Sequence, residues 1–89
     1  MPFFVYILQA DDGMFYVGHT KNLDDRLQRH RQGRSLATKS RSGWRLLYKE
    51  EFATRPEAVR REREIKSKHR REYIEKLVRT SIEKLEKNH

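Results

Sequence analysis

The sequence predicts a small α+β fold with its elements in the order ββα-β-αα, and three features predict it. Two runs rich in aromatic and β-branched residues, residues 3–9 and 14–19, flank Asp11-Asp12-Gly13, a hairpin signature. Asn22, followed by a helical stripe and closed by Gly33, marks a capped helix. Thr54-Arg55-Pro56-Glu57, after a third extended run at residues 44–52, matches a capping box that opens a second helical region.

The register of the hairpin decides which way its tyrosines face. With Asp12-Gly13 as a two-residue turn, Asp11 faces Met14, Tyr6 faces His19, and the phenols of Tyr6 and Tyr16 lie on opposite faces. With Asp11-Asp12-Gly13 as a three-residue loop, Ala10 faces Met14, Leu8 faces Tyr16 and Tyr6 faces Gly18. That loop needs a left-handed residue at its end, which glycine enters freely. We take the second register, which puts both phenols on one face and leaves space opposite Tyr6. Strand propensity alone would also account for these aromatic residues.

The first helix should run from Leu23 to about Gln32, with Asp24 and Asp25 in its first turn near the positive end of the dipole. Leu23, Arg26, Leu27 and His30 share one face. Arginine is out of place in such a stripe. Either Arg26 snorkels out at the stripe's edge, which position alone favours, or it is held in a cleft to meet an anion. Ser35 to Gly43 is a polar, basic loop of the kind that binds a ligand or is merely mobile. In the third strand Leu46 and Tyr48 alternate with Arg45, Leu47 and Lys49, which predicts one shared face for Leu46 and Tyr48.

Beyond the capping box, Ala58, Val59 and Ile65 define the inward face of a helix, and Glu62 falls on that same side. Glu57 and Glu64 turn towards solvent. An inward carboxylate must be paired or bound to a metal. A salt bridge to Lys66 or an arginine at the helix edge would satisfy it equally well. A break near Ser67–His69 precedes a last helix at about residues 70–87, with Tyr73, Ile74, Leu77, Val78, Ile82 and Leu85 as its stripe. From Val78 onward that stripe exceeds what so small a domain must cover, leaving it free for a second subunit.

Eighty-nine residues without a cysteine make one domain and exclude disulfides and thiolate zinc sites. No apolar run reaches membrane-spanning length, and Met1-Pro2 leads straight into the first strand, so a cytoplasmic chain is expected. The formal net charge of +8, with a dense basic run over residues 60–71, suits a polyanion such as a phosphate backbone. A basic surface that only confers solubility is the plainer alternative. An anionic membrane suits it less, because no basic helix carries a broad Trp/Phe/Leu face.

Phe4-Val5-Tyr6, then Tyr16-Val17-Gly18, then Arg26 and His30, then Glu62 together resemble the GIY-YIG nuclease superfamily in its small single-domain branch. The resemblance runs from about Phe3 to Leu77 and is most specific in Tyr-Val-Gly-His-Thr-Lys-Asn-Leu and Ala-Val-Arg-Arg-Glu-Arg-Glu-Ile-Lys. It implies a three-stranded antiparallel sheet flanked by helices. One nuclease domain would fill residues 1–89, with a core at about 3–78 and a last helix reaching about 87. Residue by residue, it implies Tyr6, Tyr16, Arg26, His30 and Glu62 as the catalytic set. Glu62 would also hold one Mg²⁺ or Mn²⁺ ion. Two departures stand out: Phe4 replaces the glycine of the first half-motif, and the asparagine that some branches carry after the glutamate is not identifiable, with Lys66 in that region.

The implied reaction is hydrolysis of DNA phosphodiesters with little sequence specificity, in repair or recombination. Arg26 would meet the transition-state charge. Tyr6 would accept a proton from water, aided by positive charge from Arg26, the metal or Lys21. His30 as the base, supported by Tyr6, is the rival assignment. Tyr16 and His30 would orient water and phosphate. Lys21, Lys39, Arg41, Arg60, Arg63, Lys66 and Lys68 would hold the DNA backbone. Two other classes stay open: a basic nucleic-acid-binding module with little turnover, and an interaction protein that pairs through its last helix.

Overall fold

The computed structural model describes residues 2–36, 38–68 and 71–87, with side chains followed as far as residue 82. Its elements are β1 (Phe3–Gln9), β2 (Phe15–Thr20), α1 (Leu23–Arg31), β3 (Arg45–Phe52), α2 (Arg55–Lys68) and α3 (Arg71–Lys87). The strands form one antiparallel sheet, as expected, and their order in it is β2-β1-β3. Of the break expected near Ser67–His69, Ser67 and Lys68 instead belong to α2, and residues 69–70 lie outside the described residues.

The hairpin adopts the three-residue loop. Gly13 N donates to Ala10 O at 2.9 Å, Ala10 N donates to Met14 O at 3.0 Å, and Gly13 has φ of 89°. A left-handed φ favours a residue without Cβ, so Gly13 fixes the register from the turn outward. Tyr6 therefore pairs with Gly18 and Leu8 with Tyr16. Alternation then separates two apolar faces. Tyr6, Leu8 and Ala10 pack with Tyr16, Leu23, Leu27, Trp44 and Leu46 on the α1 side. Val5, Ile7 and Val17 pack with Ala58, Ile65, Tyr73, Ile74 and Leu77 on the side covered by α2 and α3.

β3 departs from the expected alternation. Ile7 pairs with Tyr48 but Leu8 pairs with Leu46, so the register against β1 shifts by one residue and Leu47 is the extra one. Leu46 consequently packs on the α1 side and Tyr48 on the α2 side. The expectation that Leu46 and Tyr48 share a face is thus corrected. Past the bulge, Arg61 of α2 grips Glu50 of β3 with Nε at 2.8 Å and Nη2 at 2.9 Å. The same carboxylate accepts the Tyr48 hydroxyl, and burial with that neighbour pushes the Tyr48 phenol up to about 12.

The helix ends follow the sequence signals. Asn22 Oδ1 accepts Asp25 N at 3.1 Å, and Gly33, at φ of 71°, follows the last turn of α1. Thr54 caps α2, with its hydroxyl 2.8 Å from Glu57 Oε1. In α3 the expected stripe divides. Tyr73, Ile74 and Leu77 complete the core, whereas Val78 and Ile82 line a shallow apolar groove with Phe15 and Leu47. The Leu85 side chain lies outside the described residues. Among the described residues no helix is long and apolar enough to cross a membrane.

Candidate functional site

The hairpin register places Tyr6 and Tyr16 side by side under α1, with ring centroids 6.2 Å apart. Tyr6 is 1% exposed, and the room for its ring comes from Gly18 across the ladder. His30, in the last turn of α1, is also buried and reaches down to this pair. Its Nε2 is 3.0 Å from the Tyr6 hydroxyl, and its ring centroid is 4.8 Å from that of Tyr16. Its Nδ1 is 2.7 Å from Thr38 Oγ1. Trp44 closes the cluster with its indole donating to Thr38 O at 3.1 Å. Three aromatic rings and a buried threonine thus surround one imidazole.

Arg26 sits one turn before His30 on the same face of α1. Its Nε is buried and has no hydrogen-bond partner among the described residues. A buried guanidinium donor without an acceptor is costly. An arriving anion would relieve it, so the cleft reading of Arg26 is the one the geometry supports. Electrostatics link Arg26 to its neighbours. Desolvation and the Arg26 charge both lower the His30 pKa, which keeps the imidazole neutral at neutral pH. Burial first, then the Tyr16 phenol and the Glu62 carboxylate, push the Tyr6 phenol well above its usual range, with Arg26 opposing. Arg26 supplies the expected lowering, but burial outweighs it.

Glu62 approaches from the other face of the sheet. Val5 pairs with His19, so the alternation that turns Tyr6 towards α1 turns His19 towards α2. There His19 Nδ1 is 2.8 Å from Glu62 Oε1, and Lys66 Nζ is 3.0 Å from Glu62 Oε2. The carboxylate is 16% exposed. The helix-edge salt bridge to Lys66 is therefore present. Among the described residues no hydrogen bond joins Glu62 directly to Tyr6, Tyr16, Arg26 or His30. The site is built in two halves, and a basic cleft adjoins both. His19, Lys21, Asp25, Arg26, Arg29 and Arg55 line it, around a volume of about 290 Å³.

The other basic residues are dispersed. Lys21, Lys39, Arg60, Arg63 and Lys68 are exposed, with Lys68 Nζ lying 5.8 Å from the Tyr73 ring centroid. Arg41 is engaged, its Nε donating to Asp12 Oδ2 at 2.9 Å. Lys66 is held by Glu62. Phe4 shares the Tyr6 face, and Lys49 Nζ is 5.9 Å from its ring.

Sequence reasoning missed His19, Thr38, Trp44, Arg29 and Arg55. For His19 a signal existed, since the hairpin register alone sends it to the face where an inward Glu62 must lie. Thr38 and Arg55 carried none: one sits in an aperiodic loop, and the other reads as a first-turn helix residue.

A divalent cation can be weighed against these donors. Among the described residues no group of three or more His, Cys, Asp or Glu side chains converges. The described donors thus form no closed cage of the zinc type. A lone carboxylate such as Glu62 suits an ion like Mg²⁺, which keeps several waters and takes one or two carboxylates plus phosphate oxygens. Glu62 fits such an ion, with the half-exposed Lys66 as the group that must yield.

Comparison with known proteins bears on the family and the fold. The sequence model of the GIY-YIG catalytic domain matches residues 2–76. A UPF0213 protein of Staphylococcus aureus strain Mu3 is 40% identical over 65 residues, covering 72% of this chain and 79% of that one. The protein of strain Mu50 gives the same values. The solution NMR structure of a UPF0213 protein from Bacillus halodurans has 36% identity and a TM-score of 0.56, covering 90% of this chain and 85% of that one. A GIY-YIG catalytic domain supports a nuclease in general. The chain belongs to the GIY-YIG family, in the small single-domain branch to which the UPF0213 proteins belong.

Proposed function

We propose that this chain is a divalent-metal-dependent endonuclease that hydrolyses DNA phosphodiester bonds with little sequence preference of its own. The observation that carries the reading is the buried Tyr6–His30 hydrogen bond, at 3.0 Å, beside a buried arginine nitrogen without an acceptor. The whole chain serves as one nuclease domain.

The residues divide the work. Arg26 offers its guanidinium to a phosphate oxygen and stabilises charge that grows in the transition state. The Tyr6 oxygen accepts a proton from the attacking water and passes its own proton to His30 Nε2. This route avoids forming a phenolate, which burial makes costly. The neutral His30 is ready to receive it. Tyr16, against His30, holds the water and phosphate in line. Glu62, steered by His19, holds a Mg²⁺ or Mn²⁺ ion. When bound, that ion supplies Lewis-acid polarisation of the phosphate and stabilises the leaving oxygen.

Lys21, Arg29 and Arg55 at the cleft, with Lys39, Arg41, Arg60, Arg63, Lys66 and Lys68 beyond it, hold the DNA backbone. Phosphate contacts position a duplex without reading its bases. Target choice then rests on DNA shape or on a protein partner, which suits repair or recombination in the cytoplasm. The groove along the last turns of α3 is where a partner or second copy would dock. A second reading, a module that binds DNA without cutting it, draws on one observation: both oxygens of Glu62 are already engaged.

Nicking of supercoiled and branched DNA with Mg²⁺ or Mn²⁺ decides between them. The parent should nick, while Glu62→Ala and Arg26→Ala should lose cleavage and keep binding. Binding by the parent with no nicking of either substrate sinks the enzyme and favours the module.

A further inference from the structure

We propose that Thr38 is a positioning residue, whose hydroxyl accepts the Nδ1 proton of His30 and so leaves Nε2 bare to receive the proton of Tyr6. This inference deepens the nuclease reading and rests on it.

Thr38 is 1% exposed in a loop whose neighbours Lys39 and Ser40 are exposed. A hydroxyl buried without a partner is costly, and the hydrogen-bond partner Thr38 Oγ1 has is His30, at 2.7 Å. The loop backbone is shaped to put it there. Thr38 N donates to Ser35 O at 3.1 Å, while Thr38 O accepts Arg41 N at 3.2 Å and the Trp44 indole at 3.1 Å. The loop is anchored in turn to the hairpin, where Asp11 N donates to Ser42 O at 3.1 Å.

The direction of the chain follows from acid strength. A phenol is a far stronger acid than an aliphatic hydroxyl, so of the two groups flanking the imidazole Tyr6 is the better donor. Neutral imidazole has one donor and one acceptor nitrogen. If Nε2 accepts from Tyr6, Nδ1 carries the hydrogen and Thr38 must accept it. When the water O–H breaks, its proton bonds to the Tyr6 oxygen and the phenol proton moves to Nε2. The resulting imidazolium keeps its Nδ1 hydrogen on Thr38, and hydroxide attacks phosphorus. Without that acceptor the other tautomer competes, presenting N–H to the phenol where an acceptor is needed.

The test combines ¹⁵N NMR of histidine-labelled protein with nicking kinetics for the parent, Thr38→Val and Thr38→Ser. The parent should show His30 protonated at Nδ1. Thr38→Val should lose that preference and cut roughly ten- to a hundredfold more slowly at saturating DNA, a loss of the size seen when the partner orienting a metal-ligating histidine is removed. The DNA concentration for half-maximal rate should not change, and Thr38→Ser should restore both readouts. Protonation at Nε2 in the parent overturns the proposal, as does a Thr38→Val protein with the parent's tautomer and rate. Should Thr38→Val fail to fold, the parent's tautomer decides, with Trp44→Phe expected to weaken the Nδ1 preference by loosening the loop. A parent that never nicks defeats the nuclease reading, and the nitrogen shifts then decide the role of Thr38 alone.

Discussion

Gly18 gives the phenol of Tyr6 its space. A Cβ built there would sit 2.7 Å from the Tyr6 hydroxyl oxygen, 2.9 Å from Tyr6 Cζ and 3.2 Å from Tyr16 Cε1. The Tyr6 ring is buried in the α1-side core and has little room to retreat, whereas Tyr16 is only partly buried. We predict that Gly18→Ala destabilises the fold by about 1–3 kcal/mol, the usual range for overpacking. It should also abolish nicking, since the displaced hydroxyl leaves His30. Urea denaturation checks the first outcome, and an unshifted midpoint would contradict it. His30 supplies a second prediction at this scale. Its pKa is lowered from 6.5, so the unfolded chain binds the proton more readily than the folded one. The stability it contributes is complete above the unfolded value of 6.5 and is lost as pH falls from there through the lower folded-state pKa. The urea midpoint should therefore fall on acidification, and His30→Gln should flatten that slope. A parent whose midpoint rises between neutral pH and mild acid would refute the assignment.

At the scale of elements, the pair formed by Glu50 and Arg61 joins β3 to α2. Its side chains are 20% and 19% exposed. This is more buried than a surface ion pair and less than a core one. Removing one partner leaves a half-desolvated charge, so Glu50→Ala should cost about 1–3 kcal/mol, between the surface and buried ranges. Nicking at low temperature should persist, because neither residue faces the cleft. A denaturation midpoint unchanged by the substitution would show the pair to be solvated. The same strand shows where the sequence stopped being legible. The hairpin could be read in full because Gly13 fixes the turn and apolar alternation fixes the faces. The bulge could not, since Leu46 and Leu47 are both apolar and period-two patterning does not say which one points inward. Site residues divide in the same way. Tyr6, Tyr16, Arg26, His30 and Glu62 sit on regular elements where spacing reveals orientation. The register gives the face of His19 but not its partner Glu62, 43 residues away, and nothing local points Thr38 to His30, 8 residues away.

For the whole molecule, the proposed function makes charge the term that governs an encounter with nucleic acid. A net charge of +8 spread over so small a surface should make DNA affinity fall steeply with salt. Each phosphate contact contributes about 0.9 to the slope of log affinity against log salt. Replacing Arg60 and Arg63 with alanine should lower that slope and weaken binding alike for unrelated duplexes. Fluorescence anisotropy across a salt series measures this, and a loss confined to one sequence would show base reading instead.

The anchoring of residues 41–43 to the hairpin turn has a thermodynamic corollary. Arg41 is clasped by Asp12, and Gly43 lies so close to the Asp11 carboxylate that a side chain there would collide with it. A segment already held this way has little backbone motion left to surrender when a polyanion docks, so the entropic penalty of association falls on flexible side chains such as Lys39.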